Sequence, residues 1–168
     1  MSLFTTFFTG AALLGAALMA GVFFAFSTFV MRALARVAPE QGIEAMRQIN
    51  RTVINPWFLG AFMGTALIGL MLTVVSLRWE HPASIGLMVG GLLYIVGTFG
   101  VTVVFNVPMN DKLETLSANA ASETDGVSRE ALLTYWEHYL SRWLLWNHLR
   151  TVAAALSVLS LAVTLWLT

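Results

Sequence analysis

The sequence predicts an all-α protein built as a bundle of four transmembrane helices, and three observations support this fold class. Four stretches contain no Asp, Glu, Lys or Arg: residues 2–31, 56–77, 82–105 and 151–167. Each is close to or above the roughly 20 residues that a spanning helix needs. None alternates with the period of two that is typical of a barrel strand. Hydrophobic residues make up 58% of the chain and charged residues only 11%.

Length and composition limit the classes of function. With 168 residues there is room for one bundle and short connections, so residues 1–168 are expected to form a single integral membrane domain. The formal net charge is zero, which gives no support for a nucleic-acid partner. Cysteine is absent, which excludes disulfides, thiolate catalysis and Cys-ligated metal centres.

The first helix is expected over about residues 2–31. Residues 10–21 have the hydrophobicity of a signal peptide, but no Lys or Arg precedes them and the apolar run continues to residue 31. A signal peptide has a shorter apolar region that follows basic residues. We therefore expect this segment to be retained as a membrane helix.

The connection between the first and second helices is predicted to contain an amphipathic helix. Pro39 suits a first helical turn. Four apolar residues then recur on one helical face: Ile43, Met46, Ile49 and Val53. Such a segment lies along the membrane surface or extends the second helix, which is expected over about residues 56–77.

The third and fourth helices are expected over about residues 82–108 and 128–167. Residues 119–126, between them, have the composition of a flexible linker. Because the fourth segment is much longer than a membrane span, its N-terminal part is predicted to extend beyond the bilayer.

The positions of Lys and Arg predict the orientation. The first and third connections, with their edges, carry Arg32, Arg36, Arg47, Arg51, Lys112, Arg129, Arg142 and Arg150. The second connection carries only Arg78. The positive-inside rule then places the first and third connections in the cytoplasm and both termini outside. We expect a multi-pass protein of the inner (cytoplasmic) membrane, with the fourth helix extended inward.

Small residues recur at the spacing of helix contacts. They are Ala12, Ala16 and Ala20, then Gly60 with Gly64, and Gly86 with Gly90. Small side chains allow membrane helices to approach closely. Most of these residues are expected to pack the bundle itself, and the alternative is a seam of a homo-oligomer.

Three groups of polar residues are predicted to converge at one depth of the membrane. They are Asn50, Arg51 and Asn55 before the second helix, Asn106 and Asn110 at the end of the third, and Asn147, His148 and Arg150 at the entry of the fourth. Polar groups at membrane depth are costly and often functional. Among the patterns in the sequence, this convergence is the strongest indication of a functional site.

Aromatic residues strengthen the prediction of a pocket. Four of them share about a third of the circumference of the fourth helix with Asn147 and Arg150. They are Trp136, Tyr139, Trp143 and Trp146. This wall suits a flat, partly polar small molecule; the alternative is an interfacial aromatic belt with a snorkelling Arg.

Histidine offers a candidate base but no metal site. His148 has a pKa range suited to a general base, although it points about 100° away from Asn147 on the helix. The other two histidines, His81 and His138, lie at other depths or faces. The three do not form a zinc or non-haem iron set, and a haem held by one of them lacks an evident second ligand. No metal site is therefore predicted.

Two motifs resemble those of the anthrone oxygenase-like family of small four-helix membrane proteins. They are VVFNVPMND at residues 103–111 and WNHLRT at residues 146–151, together with the Asn50-Arg51 and Asn55-Pro56 pairs. Most bacterial members of that family carry a domain-of-unknown-function label. The resemblance implies an enzyme, a monooxygenase of the oxidoreductase class, since fungal relatives oxidise anthrones to anthraquinones with O2 and no added cofactor.

The resemblance also implies roles for the site residues. His148 is the candidate base, Arg150 with Asn106 or Asn147 donates to the developing anion, and Trp143 with Trp146 forms the slot. Asn50, Arg51, Asn55 and Asn110 are the further candidates for binding the substrate. The second class of function left open is a non-catalytic membrane protein that binds a lipid or a quinone, or has a structural role.

Overall fold

Apolar composition and helix caps set the bounds of five helices. They are α1 (Leu3–Leu34), α2 (Pro39–Thr52), α3 (Pro56–Ser76), α4 (Ser84–Ser122) and α5 (Val127–Trp166). The computed structural model describes residues 1–122 and 127–168, and within these ranges it contains no β-strand. All but α2 are long and apolar enough to cross a membrane. The predicted fold class is thus confirmed, and the four candidate spans indicate a multi-pass membrane protein.

Polar side chains begin two of these helices. Ser2 Oγ accepts a hydrogen bond from the Thr5 amide at the start of α1. Asn55 Oδ1 accepts hydrogen bonds from the amides of Trp57 and Phe58, at 3.1 and 3.0 Å. An Asn cap followed by a proline at the first helical position is a favourable helix start. Asn55 therefore fixes where α3 begins.

The four long helices pack in a ring. α1 packs against α3 and α5, and α4 packs against the same two helices. At the α3–α4 contact, a Cβ added to Gly91 would lie 2.5 Å from the carbonyl oxygen of Gly69. At the α4–α5 contact, Ser157 Oγ donates to the Gly90 carbonyl at 2.7 Å. Close backbone approach of this kind requires small residues.

The small-residue pairs do not all serve the bundle. Gly86 and Gly90 pack against α5, where an added Cβ would meet Thr164 or Leu161. Gly60 and Gly64 instead have nothing within 4 Å of an added Cβ. A homo-oligomer seam stays a prediction, and Gly60 with Gly64 is the pair that is open to a partner.

α4 continues beyond the end expected near residue 108. Pro108 is the second residue of the α-helical segment Val107–Ser122, which follows a π-helical segment, Thr102–Asn106. Pro108 directly follows the π-helical turns, where the hydrogen-bond pattern of the helix already changes, and the helix continues through it. The linker expected at residues 119–126 is helical through Ser122. Residues 123–126 lie outside the described part of the chain.

α4 and α5 are longer than the hydrocarbon core. At 1.5 Å per residue, 39 and 40 residues give about 58 and 60 Å, against about 30 Å of hydrocarbon. Their excess packs with α2, of whose predicted apolar face Ile43 and Met46 are buried and Ile49 and Val53 are partly buried. The shared cluster contains Met31, Ile43, Met46, Leu113, Leu132, Trp136, Tyr139 and Trp143. The extension that was predicted for the fourth helix is therefore part of a layer of three helices, in which the N-terminal part of α5 packs with α2 and the end of α4.

The contact between Gly69 and Gly91 gives a test of the packing. Gly91→Ala places a methyl group against a backbone oxygen, and overpacking of this kind costs about 1–3 kcal/mol. Gly64→Ala is the matched control, because an added Cβ there meets nothing and Ala favours a helix by up to about 1 kcal/mol. We expect thermal unfolding in detergent to show a lower midpoint for Gly91→Ala alone. Equal midpoints for the two variants would contradict the α3–α4 contact.

Candidate functional site

π-helical segments lie next to the site in two helices, α1 and α4. Phe26–Val30 in α1 is π-helical, and so are Leu93–Gly100 and Thr102–Asn106 in α4. A π-helical turn holds an additional residue, which changes the direction of the side chains that follow, and such turns are frequent at functional sites. Ser27 and Thr102, within these segments, both contact the hydrogen-bonded group of residues at Asn147 and Arg150.

Arg150 is a buried cation at the centre of the site, with only 5% of its surface exposed. Its Nε donates to Asn147 Oδ1 at 2.9 Å, and Nη1 donates to Thr102 Oγ1 at 3.3 Å. The guanidinium carbon lies 4.1 Å from the ring centre of Phe23 and 4.8 Å from that of Trp143. Ring faces attract such a cation. No carboxylate among the described residues lies within ion-pair distance, so its charge is not neutralised.

Asn147 holds the guanidinium in place. Its side chain is fully buried, and its Nδ2 donates to the Phe23 carbonyl at 2.8 Å and to Ser27 Oγ at 2.7 Å. Because Oδ1 accepts from Arg150, every polar atom of the amide has a partner. Ser27 Oγ also lies 3.0 Å from Thr151 Oγ1. The network ties α1 to α5 around the cation.

A cavity of about 370 Å³ lies beside Arg150, enclosed by residues of all five helices. This volume falls within the range of about 300–1,000 Å³ that is usual for small-molecule sites. Trp143 and Arg150 of α5 form one wall, and Phe58 and Phe62 of α3 form another. Phe58 and Phe62 are themselves stacked, with ring planes 16° apart. The arrangement suits a flat aromatic ligand next to a positive charge.

Asn110 is the second polar group of the cavity wall. Its Oδ1 accepts hydrogen bonds from Tyr139 Oη at 2.7 Å and from Trp143 Nε1 at 2.9 Å. These bonds orient the amide, so its oxygen is already used. Its Nδ2 has no acceptor among the described residues and is the atom left to donate to a ligand.

The structure brings together five of the residues that the sequence singled out. Asn50, Arg51, Asn110, Trp143 and Arg150 all line the cavity. Asn147 is not in the lining and contacts Arg150 from the side of α1.

Asn106 lies beside this group without lining the cavity. It is on the same face of α4 as Asn110, one turn away. Its Nδ2 donates to the Trp143 carbonyl at 3.2 Å. Its Oδ1 is buried and has no hydrogen-bond partner in the described chain. Such an unsatisfied acceptor is uncommon in a folded protein.

Three other predicted residues lie outside the cavity. His148 is exposed on α5 and does not contribute to the lining, because one residue turns a helix by about 100°. Trp146 stacks on Phe105, with ring centroids 3.7 Å apart, away from Arg150. Asn55 serves as the cap of α3.

The sequence reasoning missed several residues of the cavity wall. Thr102, Asp111 and Glu114 of α4 all line it. A signal was present in the spacing, since Asn110 and Glu114 are four residues apart and therefore share one helical face. Among the described residues, no three His, Asp or Glu side chains are grouped as metal ligands.

An ionic bridge includes two residues of the cavity wall, Arg51 and Glu114. Glu114 accepts two hydrogen bonds from Arg47, each 2.9 Å long, and a third from Arg51. Arg47 also pairs with Glu44 at 2.7 Å. The hydrogen bonds to Glu114 raise the pKa of Arg47. This bridge, Arg47–Glu114–Arg51, joins α2 to α4.

Comparison with known proteins identifies a family for the chain. The family model described as anthrone oxygenase matches residues 54–160, which is more than half of the chain. The matched range contains α3, α4 and the part of α5 that carries Trp143, Asn147 and Arg150. No curated protein and no solved structure matches the chain.

Neighbouring residues of α5 give a test of the network. Asn147→Leu keeps a similar volume but leaves Arg150 Nε without its acceptor, and an unsatisfied buried donor costs about 1–3 kcal/mol, or more when the group is charged. His148→Leu, on the exposed face, is expected to change the free energy of unfolding by less than about 0.5 kcal/mol. Denaturant unfolding in detergent measures both. A small effect of Asn147→Leu would contradict the network.

Proposed function

Because the chain belongs to the anthrone oxygenase family, we propose that it oxidises a flat, acidic aromatic ketone or phenol with O2 in the cavity beside Arg150. One observation carries this proposal. A guanidinium that has no carboxylate partner among the described residues lies against two aromatic rings at the wall of a largely apolar cavity. The partners we propose are therefore the lipid bilayer and a hydrophobic aromatic molecule.

The chemistry of an anthrone requires such a charge. Its central CH2 group lies between two aromatic rings and opposite a ketone, so loss of a proton gives a planar enolate. That electron-rich anion transfers an electron to O2 without a metal or a flavin. A cation placed near the oxygen favours the ionised form and lowers the pKa of the carbon acid. Arg150 supplies this cation.

The residues of the wall divide the remaining tasks. The N–H groups of Arg150 that are not bonded to Asn147 or Thr102 donate to the substrate oxygen as negative charge develops there. Asn110 Nδ2 donates to a neighbouring hydroxyl group of the substrate. Trp143 and Phe62 contact the ring faces and exclude water, which strengthens the electrostatic interaction.

Asp111 is the proton acceptor in this proposal. The role assigned to His148 from the sequence is not kept, because that side chain lies outside the cavity. Asp111 lines the cavity next to Asn110 and has no ion pair with any described residue. Its exposed position gives the proton a route to water.

The reaction balances without an external reductant. The CH2 carbon gives a proton to Asp111 and an electron to O2, and the carbon radical and superoxide then combine to form a C–O bond. The peroxide takes up a proton. Loss of the second C–H proton with cleavage of the O–O bond gives the ketone and hydroxide, which becomes water. One oxygen atom of O2 thus enters the quinone and the other leaves as water.

O2 uptake tests the proposal directly. Purified protein in lipid vesicles is given 1,8-dihydroxyanthrone, and O2 consumption and quinone absorbance are followed against protein-free vesicles, which correct for autoxidation. Arg150→Met is expected to lower kcat/KM by about 10²–10³-fold, as loss of a transition-state anion donor does. His148→Ala is the control and keeps the wild-type rate.

The outcomes separate the candidate functions. Folded Arg150→Met protein with the wild-type rate would rule out the role of the cation. Saturable binding of the anthrone without O2 loss would indicate a binding protein instead of an oxygenase.

Asp111→Asn tests the proton acceptor. An amide cannot take up the proton, and general-base catalysis contributes about 10²–10⁴-fold. We expect kcat to fall by that order while the binding of a non-oxidisable anthraquinone is unchanged. Stopped-flow measurement of quinone formation gives kcat, and fluorescence titration gives the affinity. An Asp111→Asn variant with normal kcat would assign the proton to another acceptor.

A further inference from the structure

We propose that the cavity receives its ligand laterally from the membrane leaflet, through an apolar opening between the start of α3 and the middle of α4. The substrate class is then an uncharged polycyclic phenol or ketone dissolved in the bilayer, and not a water-soluble anion. The inference rests on the proposed function only for the aromatic nature of the ligand.

Two residues define the opening. Ile54 and Val107 line the cavity and are also 69% and 40% exposed on the outer surface. Each of these side chains is part of both the cavity wall and the outer surface of the protein, so it lies at an edge where the cavity opens. The neighbouring surface is apolar as well, since Val104 and Trp57 are exposed beside them. The rim is therefore apolar at Ile54 and Val107, and charged one turn further along the chain on each side, where Arg51 and Asp111 also line the cavity and are exposed.

The length of α3 sets the depth of this opening. Pro56–Ser76 has 21 residues, which gives about 32 Å and matches the hydrocarbon core of about 30 Å. Ile54 and the first turn of α3 therefore lie at the edge of the hydrocarbon. Exposed Trp57 is typical of this boundary, where amphipathic rings are enriched. The opening faces acyl chains next to the headgroups.

The aqueous end of the same cavity is charged, since Arg51 and Asp111 line it and are also exposed. The Arg47–Glu114–Arg51 bridge crosses from α2 to α4 at that end, and Glu114 is part of the lining. Asp111 places a second carboxylate there. A sulfonated or carboxylated ligand arriving from water would have to pass the carboxylates of Asp111 and Glu114, which repel it. An uncharged ligand arriving from lipid meets neither obstacle.

Lateral entry also agrees with the position of the charge. A neutral phenol partitions into the bilayer, and it ionises only after it reaches Arg150 in the interior. The neutral quinone product returns by the same apolar opening. The cation thus acts on a ligand that arrives without charge.

Binding of two anthraquinones tests this route. Proteoliposomes of phosphatidylcholine are titrated with neutral 1,8-dihydroxyanthraquinone and with anthraquinone-2-sulfonate, and the bound probe is measured in excess of protein-free vesicles. We expect saturable binding of the neutral probe that depends on its mole ratio to lipid, and at least about tenfold weaker binding of the sulfonate. Equal affinity for both probes, or no saturable binding of the neutral one, would overturn the inference.

Bulky residues at the rim test the opening itself. Val107→Trp and Ile54→Trp narrow it, and each is expected to slow association of the neutral probe by about tenfold or more. Val104→Trp is the matched control, because Val104 is 61% exposed on the preceding turn of α4 and does not line the cavity. Stopped-flow fluorescence gives the rates, and thermal unfolding confirms folding. Wild-type rates in both folded rim variants would overturn the opening.

The binding probe, 1,8-dihydroxyanthraquinone, is already oxidised at its central carbon, so its binding does not depend on the oxygenase reaction. The two proposals can therefore fail separately. Lipid-dependent binding that is blocked at the rim, without any O2 uptake, would leave lateral entry standing and overturn the oxygenase. Arg150-dependent O2 uptake, together with unchanged association rates in the rim variants, would support the oxygenase and overturn lateral entry.

Discussion

The rest of the site depends on one constraint, which is the burial of a guanidinium that has no anionic partner in residues 1–122 and 127–168. An ionised side chain at membrane depth is costly unless hydrogen bonds and aromatic faces replace its hydration. Arg150 has one amide acceptor, one hydroxyl acceptor and two ring faces, and none of these neutralises it. Its positive potential therefore extends into the cavity. In a dry site that potential acts on a developing anion more strongly than it would in water.

Much of the surrounding architecture can be understood as a means of holding this charge. Asn147 is a positioning residue, since it bonds Arg150 on one side and α1 on the other. The π-helical segments present Ser27 and Thr102 to these two residues. Asn110 is oriented in the same way by two aromatic donors. The precision of the site comes from these contacts between helices, while the apolar helix surfaces supply only the bundle.

The sequence predicted the bundle, α2 and several residues of the candidate site. These follow from stretches without charges, apolar residues three or four positions apart and polar residues at one depth. The sequence could not predict which members of a motif face inward. Asn147 and His148 are adjacent, yet a rotation of about 100° buries the first and exposes the second. Trp146 lies on the outside with Phe105. The π-helical insertions in α1 and α4 shift side-chain directions in a way that a 3.6-residue period does not anticipate.

The positions of Arg150 and Asp111 suggest why such a reaction would be placed at the edge of a membrane. Oxidation of a carbon acid by O2 requires that the C–H proton is removed while the bonding electron pair stays on the substrate as an enolate. Arg150 is buried at the inner end of the cavity, and Asp111 is exposed at its aqueous end. O2 and a neutral aromatic ketone both dissolve readily in hydrocarbon, so both reactants can arrive from the same side. The bilayer would then supply the reactants, the buried Arg150 would stabilise the substrate anion, and the exposed Asp111 would release the proton to water.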